Sequence, residues 1–182
     1  MSEYVSPNRR YNLSLIRAMN GLARMPDTIF IGQAVKYAGT GMFDSLIDID
    51  DDKKMEFPVA ENFQMGFCTG MALNGYVPIA IYPRWNFLIC AADQIVNHLD
   101  KLHSMSDGKS NPKVIIRVAK GTEIPVDPQD QHKGNFAGAF RSMCSSIDVV
   151  ELTDESDIVP AYINAYESKN STILVEFPDY GK

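Results

Sequence analysis

Five short runs of β-branched and aromatic residues, separated by segments of helical spacing, constrain this chain more than any other feature. They are TIFIG (28–32), YVPIAIY (76–82), KVIIRVA (113–119), DVVEL (148–152) and STILVEF (171–177). Their length and nearly continuous apolar character are those of strands buried on both faces. Between them the period changes. Leu13, Leu15, Ile16, Met19, Leu22 and Ala23 set a helix over 8–24, and further helices are predicted over 61–74, 136–143 and 157–168. From Trp85 onward, Phe87, Leu88, Ala91, Ala92, Ile95, Val96, Leu99 and Leu102 predict one long helix over 85–103. Strand and helix alternate throughout. That alternation predicts an α/β fold, a mostly parallel sheet flanked by helices on both faces. At 182 residues the chain is read as a single domain over 1–182.

The connections are read from composition. Residues 33–41 are a loop, and Phe43, Leu46 and Ile47 form a short helix. Residues 48–54 (DIDDDKK) predict a flexible, solvated surface loop. The apolar segment 55–58 ends a strand at Pro58, and Gly75 caps the helix that follows. Residues 104–112 form a polar loop, and the long polar segment 120–135 has the character of a functional loop.

A formal charge of −6 and a pI near 5.0 argue against a nucleic-acid surface. Cys68, Cys90 and Cys144 are far apart, with no CxxC pair, so no zinc site is expected and a reduced, cytoplasmic setting fits. Residues 1–10 lack the apolar core of a secretory signal, and no apolar run approaches the roughly 18 residues of a membrane span. No GxGxxG, GxxxxGK[ST] or GxSxG motif is present. Attention therefore falls on Glu61, just past a strand end and at the start of a helix. In open α/β sheets that edge binds ligands. The plainer account is a first-turn acid complementing the helix dipole, a contribution of about 0.3–1 kcal/mol.

Four stretches carry a family resemblance: TIFIGQAV (28–35), FPVAEN (57–62) running into GFCTGMALNGYVP, WNFLICAADQIVNH (85–98) and DPQDQH (127–132). Together they resemble the pyrimidine-binding domain of thiamine-diphosphate enzymes, transketolase-like, and most closely the N-terminal half of the beta subunit of two-subunit 2-oxo-acid dehydrogenases. The resemblance spans residues 28–178. It implies that Glu61 hydrogen-bonds the cofactor's aminopyrimidine and activates it. Phe87 would pack on that ring, Gln33 would lie near it, and His132 would serve proton transfer at the substrate. The protein positions and activates while the cofactor carries the difficult chemistry. Core packing is the alternative for Phe87 and a solvated loop position the alternative for His132. His98 and His103, five residues apart, are expected at a surface or interface and not as a metal pair.

The departures from the family are informative. The diphosphate–Mg²⁺ motif, GDG with a later Asn, is missing; Ser106-Asp107-Gly108 is only a lookalike. In the family that motif lies on the alpha subunit. The resemblance thus implies thiamine diphosphate shared with an alpha-like partner that holds Mg²⁺, in a homodimer or heterotetramer acting on a 2-oxo acid or ketose. The family's C-terminal domain is also missing from this sequence, which points to a stand-alone two-chain enzyme. The helices containing Gly66 and Gly70 and residues 85–103 are expected to contact other chains. Arg84 departs from the apolar residue expected there and is open to two readings, an anionic substrate or an acid at an interface. A catalytically silent regulatory or scaffolding homologue is the alternative for the whole chain.

Overall fold

Six parallel strands, β1 (Thr28–Gly32), β2 (Lys54–Glu56), β3 (Val77–Tyr82), β4 (Ile115–Ala119), β5 (Asp148–Leu152) and β6 (Thr172–Glu176), make one sheet in the order β2-β1-β3-β4-β6-β5. The computed structural model describes residues 7–38, 40–121 and 127–177. The sequence readings that fall on residues 1–6, Gly39, 122–126 and 178–182 lie outside the described residues, among them the polar N-terminus and part of the 120–135 loop. The helices are α1 (Pro7–Ala23), α2 (Gly41–Asp44), α3 (Glu61–Leu73), α4 (Trp85–Leu88), α5 (Leu102–Met105), α6 (Ala137–Met143) and α7 (Glu155–Glu167).

Alternation along the strands builds two cores. Phe30, Ile79, Ile81, Ile115 and Leu174 face α1 and α7, meeting Tyr11, Leu15, Met19, Ile158 and Tyr162. Ile31, Ala80, Tyr82, Ile116, Val118 and Val175 face the other way, onto Met65, Cys68, Trp85, Ile95 and Phe140. Helices thus cover both faces of an all-parallel sheet, as the alternating pattern predicts. Each fully buried side chain of this size contributes about 1.5–3 kcal/mol. The first core also holds ions: Arg117 Nε is 2.5 Å from Glu176 Oε1, which accepts from the Tyr162 hydroxyl at 2.6 Å. Burial alone would depress the Arg117 guanidinium, but Glu176 beside it raises it, so it stays charged.

Two expectations are corrected. First, residues 85–103 are not one α-helix. The path tightens to a 3₁₀ turn at Ile89–Ala91, widens to a π-helix at Gln94–Leu99 and breaks before α5. At the break, the Asp100 carboxylate accepts from the Ser145 and Ser146 backbone N–H groups at 2.9 and 2.7 Å. Second, residues 48–54 are tied down. Ile49 is buried, Lys53 Nζ donates to the Met25 and Thr28 carbonyls at 2.7 and 3.1 Å, and the buried Lys54 starts β2. Charge-rich composition concealed lysines whose aliphatic stems pack along the fold. On α3, Gly66 lies against this chain's own Gln94: a Cβ there would come 3.1 Å from Gln94 Oε1. Gly70 has open space instead. Phe63 and Leu73 on α3 are exposed, and Phe63 stacks on Phe57 at 5.5 Å.

Candidate functional site

The strand order sets the place. The connection leaving β1 runs outward to β2, while that leaving β3 runs the other way to β4. Between β1 and β3 the topology switches, and the crevice beyond their carboxyl ends is where such sheets bind ligands. One side chain sits in that junction. Gln64, fully buried on α3, donates from Nε2 to the Ile31 carbonyl at 3.3 Å and the Ile81 carbonyl at 3.0 Å. Its own Oε1 is buried without a hydrogen-bond partner.

One turn before Gln64, Glu61 opens α3 with 9% of its surface exposed. Gln33, the first residue after β1, donates from Nε2 to Glu61 Oε1 at 3.3 Å. That is the only hydrogen bond to this carboxylate among the described residues. Tyr82, the last residue of β3, donates its hydroxyl to the Glu61 backbone carbonyl at 3.2 Å. Burial above all, with Cys68 and Glu61 adding to it, raises the Tyr82 phenol well above its ordinary value, so it remains a donor.

Gln33 is held in place by a residue the sequence did not single out. Glu56, ending β2, accepts from the backbone N–H groups of Ala34, Val35 and Lys36 at 2.6, 2.9 and 2.9 Å. Ala34 adopts φ 54°, and the consecutive N–H groups form a nest around the carboxylate.

Phe87 and His132 form a second pair on the same edge. Phe87 belongs to α4, which follows β3; His132 ends a 3₁₀ turn at Asp130–His132, in the connection after β4. Their ring centroids are 5.4 Å apart at 46°. His132 Nδ1 is buried without a partner, as are Asn86 Oδ1 and Trp85 Nε1 beside Phe87. Buried polar atoms are rarely left unpaired, and such a concentration marks a place where water or a ligand belongs. Among the described residues no hydrogen bond links the Glu61–Gln33 pair to the Phe87–His132 pair. Arg84 precedes α4 on the same edge. His98 lies on the π-helix, exposed, 3.7 Å from Asp93 Oδ2, and His103 packs beside Gly108 on α5. Among the described residues no three His, Cys, Asp or Glu side chains are placed to hold a metal ion, and no helix is long and apolar enough to cross a membrane.

Glu56, Tyr82 and Gln64 were missed from sequence. Tyr82 and Glu56 each end a strand, and Gln64 is a polar residue three positions after Glu61 on the same helix. Those positions were the available signal.

No family model matches the chain. It is 30% identical over 122 residues to the pyruvate dehydrogenase E1 component subunit beta of Rickettsia bellii, a match covering 67% of this chain and 37% of that protein. It is 29% identical over 126 residues to the mitochondrial counterpart from Ascaris suum, covering 69% and 34%. The match thus spans about a third of these relatives' length. Among solved structures, a transketolase from Campylobacter jejuni superposes with a TM-score of 0.71 at 15% identity, covering 93% of this chain and 26% of that one. An inactive beta4 tetramer of a split-gene transketolase gives 0.59 at 13% identity, covering 96% and 52%. At those identities the structural likeness speaks for the fold. Taken together, the chain is a sequence relative of pyruvate dehydrogenase E1 beta subunits carrying a transketolase-type α/β fold, as a transketolase-like pyrimidine-binding domain would.

Proposed function

We propose that this chain, one domain over 1–182, is the pyrimidine-binding, beta-like subunit of a heteromeric thiamine-diphosphate-dependent enzyme acting on a 2-oxo acid or ketose. The observation that carries this reading is the state of Glu61. It is a nearly buried carboxylate at the topological switch point, with a single long hydrogen bond and one oxygen unengaged. A structural acid so enclosed would normally be surrounded by donors. This one is left able to share a proton with an incoming ring nitrogen.

The residues present fit the aminopyrimidine half of that cofactor. A carboxylate at one ring edge, a Gln33 amide beside it, the half-buried Phe87 ring and the unpartnered His132 Nδ1 make a donor and acceptor set for a polar heteroaromatic group. When bound, thiamine diphosphate supplies a nucleophilic carbon that attacks the substrate carbonyl. Glu61 would hold and exchange the proton at the ring nitrogen. Gln33, set by Glu56, orients the Glu61 carboxylate. Tyr82 fixes the first turn of α3, so the carboxylate does not drift. Phe87 would cover a ring face and exclude water, and His132 would give or take a proton near the reacting carbon.

The cofactor's diphosphate and its Mg²⁺ are assigned to an alpha-like partner chain, in a cytoplasmic heterotetramer. Exposed Phe63 and Leu73 on α3 support a surface that another chain covers. The test is co-purification with an alpha-like subunit, then cofactor binding and turnover of 2-oxo acids and ketoses for wild type and Glu61→Gln. Wild-type turnover that the variant loses supports the reading. A wild-type pair that binds cofactor without turnover identifies a silent homologue instead.

A further inference from the structure

Arg84 stands directly before α4, on the edge that carries Glu61 and Phe87, and its side chain is half-buried. Among the described residues no carboxylate pairs with it. Lys54, Lys101, Arg117, Lys133 and Arg141 all have acidic partners. A partly desolvated guanidinium without a counter-charge is unfavourable unless an anion arrives to meet it.

The surroundings fit such an anion. Arg84 Nη1 rests against Gly121, just past β4: a Cβ built there would come 3.1 Å from Nη1 and would collide with the His132 carbonyl. Only glycine fits between them. The guanidinium and the His132 turn therefore share one small space, and His132 Nδ1 is buried without a partner. An arginine fork in such a space is a donor set for an oxyanion, and the unpartnered imidazole belongs to the same turn.

We propose that Arg84, with His132 beside it, recognises the anionic group of the substrate, either the carboxylate of a 2-oxo acid or the phosphate of a ketose phosphate. Calling the anion a substrate group rests on the thiamine-diphosphate reading; the anion site itself does not.

Trp85, the chain's single tryptophan, is fully buried and adjacent to Arg84, so its emission reports on this space. Sodium pyruvate and inorganic phosphate are titrated separately into the full chain at constant ionic strength. One of them gives a saturable change in wild type; pyruvate marks a 2-oxo acid site and phosphate a ketose phosphate site. Arg84→Met weakens half-saturation at least about tenfold, and Arg84→Lys, which keeps the charge and loses the fork, at least about threefold. Should Arg84→Met fail to fold, Arg84→Lys decides. No saturable response to either anion, or unchanged half-saturation in the variants, overturns the proposal. A parallel thiamine-diphosphate titration of the co-purified pair separates the two ideas. Anion binding without cofactor binding sinks the proposed function and keeps Arg84; cofactor binding without anion binding does the reverse.

Discussion

Asp100 and Glu61 are both enclosed carboxylates, yet they are held in opposite ways. The Asp100 side chain has no exposed surface and accepts from two backbone N–H groups, the Ser145 and Ser146 hydroxyls and Lys101 Nζ at 2.5 Å. Glu61, at the other edge of the sheet, has Gln33 alone, at 3.3 Å. A saturated acid joins elements: Asp100 fastens the end of the π-helix to the turn before β5. An acid with an idle oxygen stabilises little and is free to engage a visitor. The same functional group with the same charge is thus saturated in one place and left open in the other, and the donors around each decide which.

The contrast can be broken most directly at Glu61. In the assembled pair, Glu61→Gln is expected to lower turnover about 10³-fold, the scale of a lost acid–base group, while the unfolding free energy changes by less than about 1 kcal/mol. A variant that unfolds, or one that turns over normally, removes the distinction. Asp100→Ala should behave in the reverse way: a loss of about 3 kcal/mol in denaturant unfolding, since several buried donors lose their acceptor, with cofactor affinity retained. Equal loss of cofactor binding in that variant would show that Asp100 reaches the site.

Acid sharpens the comparison. Burial on its own would raise the Asp100 carboxyl, but the hydrogen bonds from Lys101, Ser146 and Ser145 outweigh it and hold the group well below the usual carboxylate range. A lowered folded-state value means that its stabilisation is complete above the unfolded carboxyl's pKa of about 3.9 and drains away as pH falls toward the folded value. Wild-type stability should therefore drop below about pH 4 more steeply than that of Asp100→Asn, by roughly 1.4 kcal/mol per pH unit. Parallel acid limbs in the two proteins would refute the assignment. The smallest effect is expected at Gln33. Gln33→Ala should weaken cofactor binding about fivefold, about 1 kcal/mol, with the melting curve unmoved.

Sequence patterning carried the architecture well. TIFIG and DVVEL coincide with β1 and β5 residue for residue, because β-branched runs between turn residues leave few alternatives. The helical path after Trp85 was harder to read. Short changes between 3₁₀, α and π winding leave little trace in an apolar pattern, and the contacts at the break join Asp100 to serines 45 and 46 positions away. Residues 48–54 misled for a related reason: charge is visible in sequence, but the carbonyls that Lys53 finds belong to the turn after α1 and the first residue of β1. At the site, Glu61 was marked by its place past a strand end and at a helix start, whereas the roles of Gln33, Phe87 and His132 came from family likeness. Glu56 escaped because its role depends on the left-handed backbone at Ala34, which leaves no mark on residue type.

The amide of Gln64 bridges the carbonyls of neighbouring strands where the crevice begins. A carboxamide carries no charge and takes up no proton between acid and base, nor does added salt screen it. The gap between those two strand ends should therefore keep its width across solvent conditions that alter every ion pair around it, so a flat ring entering there meets an opening of constant size.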